Sequence, residues 1–340
     1  MKQKILSIFI IFSLAIACTT ENEEDPYVDP KTEWVFVACE GNYGSSNGSI
    51  TMINEKGDVK EINDLGDVVN SLTVYKNKLI VLVNNSHKIL IYDIYEGGLR
   101  MPGIEIDTQS SGPREMVVFD NKIYFTNWNS SDVKIFDLQN YIIEDTIQLS
   151  GYPESIVYGN GDLWVGIQMN DDYSDSNKLH KIDPINKTVK ETYEIGFGPT
   201  DIEINGKSIY VANTYYDSNY NAFYGSTQLD SDSSQISINN YGPGVVCGGD
   251  VLSLNNEIYR SFSGGIAKLS EDLEIIEETK IGDFPPSQLY ASETNDDKIY
   301  FALTNFTDVN VVKVYDQENN ELSSYEVGII PGDFAFWKSE

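Results

Sequence analysis

Any chemistry in this chain falls to carboxylates, amides and aromatic rings. The 340 residues hold 53 Asp and Glu, 22 Tyr, 14 Phe and 4 Trp, but only 2 His and 3 Cys. His87 and His180 share no evident site, so a Ser/His/Asp arrangement has no support. There is no Gly-x-Ser-x-Gly elbow, no His-Glu-x-x-His, no Gly-x-x-x-x-Gly-Lys and no dinucleotide fingerprint. Cys/His spacings that bind a metal are also missing. Asp171, Asp172 and Asp175 share one segment, and Asp230 and Asp232 another. Oxygen clusters can hold calcium, but without EF-hand spacing these read as solvated acidic loops. Carboxylate pairs for glycoside hydrolysis stay open, because so many acids offer many chance pairs. The expectation is a binding protein, not an enzyme, with no catalytic cofactor and no metal.

The candidate ligand-binding residues recur at equivalent places. After each of seven strand-like segments comes a stretch rich in amides and aromatics. These hold Tyr43; Asn85 and His87; Asn127 and Trp128; Tyr173; Asn213, Tyr215, Tyr216, Tyr220, Phe223 and Tyr224; Phe262; and Phe306. Aromatic faces flanked by amides and hydroxyls suit a large, flat, uncharged ligand that itself bears amides. A strand-end aromatic packed on its neighbour is the plainer reading of each one singly. Arg114 follows Pro113, in a chain poor in cations. It would meet a phosphate or a ligand carbonyl, or else pair with Glu115 or Glu154. Glu154 and Asp201 hold similar places after Pro153 and Pro199 and would accept hydrogen bonds from ligand amides. His87 reads as a rim-loop histidine, and His180 as a structural one.

A repeat must position these residues. Pairs of β-formers recur at Val35-Phe36, Leu79-Ile80, Ile123-Tyr124, Leu163-Trp164, Ile209-Tyr210, Ile258-Tyr259 and Ile299-Tyr300, in steps of 40 to 49 residues. Four short strands with their turns fill such a step, which is one propeller blade. A Pro precedes the first strand of six of the seven units: Pro113, Pro153, Pro199, Pro243, Pro286 and Pro331. Pro is tolerated at a strand's first residue, where no ladder N–H is lost. The first unit lacks this strand, and the chain ends with it, at residues 331–337. The fold class is therefore all-β: a seven-bladed β-propeller with its C-terminal strand closing the first blade. The blades fall at residues 34–64 with 331–337, then 67–107, 112–149, 152–196, 198–240, 242–282 and 285–330. Loops at one rim of such a scaffold carry the sites.

The chain begins with Lys2 and Lys4 and an apolar run over residues 5–16, too short to span a bilayer. Leu14-Ala15-Ile16-Ala17-Cys18 resembles the bacterial lipobox, which implies a signal peptide at 1–17 and lipidation of Cys18. Residues 18–33 read as an acidic tether and 34–340 as the propeller. The acidic stretch after Cys18 resembles the signal that sends lipoproteins of the Bacteroides and Flavobacterium group to the outer face of the outer membrane. The only membrane contact expected is the lipid anchor. The net charge is −30, and −32 without Lys2 and Lys4, which excludes nucleic acid as a partner. Cys39 and Cys247 lie in apolar, strand-like contexts and read as two buried free thiols.

The repeat resembles the YncE-like seven-bladed propellers. Residues 39–50, Cys-Glu-Gly-Asn-Tyr-Gly-Ser-Ser-Asn-Gly-Ser-Ile, are similar to a box at the start of a family of Bacteroidota surface lipoprotein propellers, the BtuG-type proteins. Cys39 stands where that box usually has Asn. The resemblance implies capture of cobalamin or a related corrinoid and its transfer to an outer-membrane TonB-dependent transporter. Glycan or protein adhesion at the envelope is the alternative, and a propeller-scaffold hydrolase or lyase the third.

Overall fold

The computed structural model describes residues 33–244, 249–307 and 310–339. The signal peptide, Cys18, the tether and Cys247 lie outside the described residues. Seven antiparallel sheets follow one another around a ring, and no helix occurs among the described residues. Glu33–Cys39, Gly48–Asn54 and Val59–Gly66 form blade 1 together with the closing strand Pro331–Lys338. That strand pairs antiparallel with Glu33–Cys39, placing Trp34 opposite Trp337 and Val37 opposite Phe334. The innermost strands of blades 2 to 7 are Val69–Tyr75, Pro113–Phe119, Tyr152–Gly159, Pro199–Asn205, Val251–Leu254 and Leu289–Asn295.

The core is divided into seven parts, one between each pair of neighbouring blades. Strand alternation explains this. In Lys78–Val83, Leu79 and Val81 pack toward blade 1, while Ile80 and Leu82 pack toward blade 3. Both faces of a blade are covered, so its middle strands read as continuous apolar runs. Two-residue turns link strands within the blades. Asp120-Asn121 and Asn160-Gly161 both take positive φ at both positions, the twist that a tight hairpin needs.

Two departures from the sequence reading appear. Pro243 does not open the inner strand of blade 6. It ends the outer strand of blade 5, Ile236–Pro243, where it pairs with Phe223. The long hairpin of Ser208–Tyr216 with Ala222–Asp230 extends that blade upward, so Pro243 still has a partner there. Blade 2 is also irregular. The strand Lys88–Tyr95 pairs with Ile104–Asp107 as its fourth strand and separately with the short Gly98–Leu99.

Five inner strands share a register shift near their first residues. It falls between Val69 and Ser71, Pro153 and Ile156, Pro199 and Asp201, and Leu289 and Ala291; in blade 3 it falls opposite Pro113–Met116. The closing strand shifts beside Asp333. Such bulges re-aim side chains, and here they set the residues at the mouth of the central channel.

Candidate functional site

One end of the ring gathers the loops between second and third strands with the connections between blades. Seven aromatics are exposed among the described residues. Six of them, Tyr43, Tyr173, Phe197, Tyr216, Tyr220 and Phe306, lie at this end, and only Tyr95 lies at the other. A turn between two strands has no backbone reason to prefer aromatic over polar residues, so this asymmetry marks a surface.

The rim aromatics form several groups. Trp128 meets Tyr152 edge-on at 5.6 Å, and Tyr152 meets Tyr173 at 5.2 Å. Tyr215 stacks on Phe223 at 5.5 Å and touches Phe197 at 6.0 Å. Beside this stack lies a cavity of about 190 Å³ walled by Ile195, Phe197, Tyr215, Ile238 and Asn240. Tyr224 packs on Tyr241, above the guanidinium of Arg260. Tyr290 meets Phe306 edge-on at 5.7 Å and donates its hydroxyl to Glu40. Phe262 is half-buried in the blade 6 loop, while Tyr43, Tyr216 and Tyr220 stand out into solvent.

Several predicted site residues are turned inward instead. Asn127 and Asn213 are buried. Asn127 accepts from Ser111 and donates to Asp132 and the Phe125 carbonyl. Asn213 donates to the Gly196 carbonyl and accepts from Thr227. Both tie rim loops to their blades. Asn85 donates to Asp67, and the Nδ1 of His87 accepts the N–H of Gly112 at 3.2 Å. His180 is buried, shares a 2.8 Å hydrogen bond with Thr192, and is held down to about 4 by burial and by Lys178.

Arg114 takes the ion pair, not a free position. Its Nε and Nη2 donate to the two oxygens of Glu154 at 3.0 and 2.5 Å, and Nη1 donates to Asn70 at 3.0 Å. Its guanidinium lies 4.6 Å from the centre of the Trp128 ring. Both Glu154 oxygens are thereby occupied. Asp201 lies below the rim, where it accepts the N–H groups of Val251 and Ile202.

Asp201 belongs to a feature that the sequence reading did not identify. The central channel holds a cavity of about 350 Å³. Its walls carry Glu115, Asp201, Glu203, Asp250, Glu293 and Asp333, and no Lys, Arg or His. Burial pushes Glu203, Asp250 and Asp333 up to about 7; mutual repulsion from Asp201 adds to the effect on all three. Glu115 and Glu293 are also raised well above the usual carboxylate range, chiefly by burial and then by neighbouring acids such as Asp333. Backbone donors stitch three of these acids to the next blade: Leu72 N–H to Asp333 at 2.6 Å, Val251 N–H to Asp201 at 2.9 Å, and Ser292 N–H to Asp250 at 2.6 Å. A signal was present in the sequence, since Glu115, Asp201 and Asp333 each stand two residues after a Pro. Among the described residues no three acidic, His or Cys side chains converge to hold a metal ion.

No protein-family model matches this sequence. No curated protein matches it either. Solved structures do resemble the fold. A candidate 6-phosphogluconolactonase from Bacteroides fragilis is 15% identical, with TM-score 0.65, over 92% of this chain and 100% of the other. A protein from Lactobacillus plantarum is 11% identical, with TM-score 0.65, over 90% and 99%. Apo AztD from Citrobacter koseri is 12% identical, with TM-score 0.58, over 91% and 98%. At such identities the likeness carries the fold, a seven-bladed β-propeller. It also corrects the expectation that this chain is not an enzyme. Two of the similar structures, from Bacteroides fragilis and Bacteroides uniformis, are candidate lactonases.

Proposed function

We propose that the aromatic rim captures a large, flat ligand rich in amides, a corrinoid such as cobalamin. The protein, anchored through Cys18 on the outside of the outer membrane, passes that ligand to a TonB-dependent transporter. The observation that carries this reading is the asymmetry of exposed aromatics, six at the rim against one at the opposite end. Large apolar rings left in water cost free energy that a ligand face recovers on binding. The rim loops also present amides beside those rings, at Asn42, Asn129 and Asn219, all exposed. The lipobox and the box at residues 39–50 support the anchoring and the choice of a corrinoid.

Calorimetric titration with cyanocobalamin tests the reading. Saturable one-to-one binding is expected, with Tyr173→Ala and Tyr216→Ala each weakening it by about 2 kcal/mol, as aromatic anchors do. No heat and no change in melting temperature would remove corrinoids and turn the search to glycans. Binding unchanged in both variants would remove the rim as the site.

A further inference from the structure

We infer that the slot on the flank of blade 5 is a binding site for one uncharged bicyclic aromatic ring, the base appended to the corrinoid that the rim captures. The choice of a corrinoid rests on the function proposed above, while the slot and the class of ring rest on geometry.

The slot follows from the way blade 5 is built. Phe197 comes from the connection between blades 4 and 5, and Tyr215 from the extended hairpin. Ile238 and Asn240 come from the outer strand Ile236–Pro243, where residues two apart face the same side. The register of that strand slips between Tyr224 and Gly225, opposite Gly242 and Asn240, and such a bulge bends the strand and re-aims its side chains. The walls are held in place. Asn240 donates its amide to the Tyr215 hydroxyl and accepts the Gly242 N–H at 2.9 Å. Tyr215 also stacks on Phe223 with the ring planes 18° apart. A site whose walls are already fixed loses little freedom when a ligand enters.

The lining selects the occupant. In a chain with 53 Asp and Glu, no charged residue lines this slot. An ion would shed its water there without a counter-charge. Phe197 is 50% exposed and Ile238 54% exposed, so apolar surface stands in water beside the slot for a ligand to cover. The volume of about 190 Å³ equals on the order of six waters at roughly 30 Å³ each, room for one ring system and not for a macrocycle. The three asparagines of the lining are already engaged. Asn213 serves Gly196 and Thr227, Asn239 donates to the Leu273 carbonyl, and Asn240 holds Tyr215. A sugar, with a hydroxyl on most of its carbons, would bury donors that these walls cannot pair. A flat aromatic ring needs only the faces of Phe197 and Ile238, and the Tyr215 hydroxyl keeps its own hydrogen for one acceptor on the ligand. Tyr216 and Tyr220 stand exposed at the tip of the same hairpin. A corrin resting there brings its pendant base to the slot. In cobalamin that base is dimethylbenzimidazole, which is flat, bicyclic and uncharged at pH 7.

The test is calorimetric titration of the purified protein at pH 7 with three probes. These are cyanocobalamin, free dimethylbenzimidazole, and dicyanocobinamide, which keeps the corrin and most of its amides but lacks the base. Cyanocobalamin is expected to bind at least tenfold more tightly than dicyanocobinamide. Ile238→Glu and Phe197→Ala are each expected to weaken cyanocobalamin at least tenfold more than they weaken dicyanocobinamide. Both residues are exposed, so neither variant opens a cavity in the core. Equal affinity for the two corrinoids, or a preference that survives both variants, would overturn the slot and leave the corrinoid reading standing. Should neither corrinoid bind, that reading falls and the free base decides the slot. Saturable binding of dimethylbenzimidazole that Ile238→Glu abolishes would keep it as a site for the free ring, and no binding would overturn it.

Discussion

Replacing Arg114 with Met tests whether the mouth of the channel is a structural lock. Arg114 and Glu154 form a bidentate pair with side chains only 22% and 11% exposed, and the guanidinium also spans blades by reaching Asn70 in blade 2. Met keeps most of the stem and its contact with Trp128 but leaves Glu154 charged and without its cation. Removing one partner of a buried pair costs about 3–5 kcal/mol. The residual exposure of this pair puts the expected loss near the lower end, about 3 kcal/mol. For a domain of this size each kcal/mol shifts the melting temperature by about 2 °C, so a drop of about 6 °C is expected. Urea unfolding followed by tryptophan fluorescence reads the free energy directly. A second variant separates the pair from the packing: Arg114→Met with Glu154→Gln removes both charges and should recover more than half of the loss, the signature of coupling between contacting residues. A single variant within 1 kcal/mol of the wild type, or a double variant as unstable as the sum of the two singles, would refute the argument.

The channel acids set a pH dependence. Glu203, Asp250 and Asp333 are held up to about 7, above their values in an unfolded chain, so the folded state keeps protons that the unfolded state has released. Stability should therefore fall as pH rises from about 4.5 through 7. His180, held down to about 4, opposes this below 6.5 but is outnumbered. Urea midpoints at pH 5 and pH 8 decide it, and a higher midpoint at pH 8 would contradict the assignment; Asp250→Asn should flatten the slope. Burial raises the Cys39 thiol to about 12, so peptide mass spectrometry after iodoacetamide treatment should find Cys39 unmodified in native protein and fully modified in urea. Deleting residues 331–340 removes the buried Phe334 and Trp337 and leaves Glu33–Cys39 as an open edge. A lost cooperative melt by circular dichroism is expected, since the burial lost is comparable with a domain's whole stability; a melt within a few degrees of the intact protein would show that closure is dispensable.

The ring itself was legible in the residues, because most blades repeat one local pattern: a Pro-led strand, a turn that needs positive φ, and an apolar anchor strand. Those choices depend on backbone sterics and on alternation, both of which act over a few residues. The closing strand at 331–337 was legible for the same reason, as a missing piece of a counted repeat. Blade 6 was misread at Pro243 because pairing across a long hairpin outweighed the local Pro signal. The rim aromatics were legible as a class, but not which of them face out. Asn127 and Asn213 occur in the same kind of segment as Tyr173 and Tyr216, yet their amides are consumed by loop carbonyls and hydroxyls that come from elsewhere in the chain. The acidic channel shows the limit most plainly. Glu115, Asp201, Asp250 and Asp333 are spread over more than 200 residues and look like ordinary members of a strongly acidic chain. Only closure of the ring brings them into one channel, where burial and mutual repulsion change what a carboxylate does.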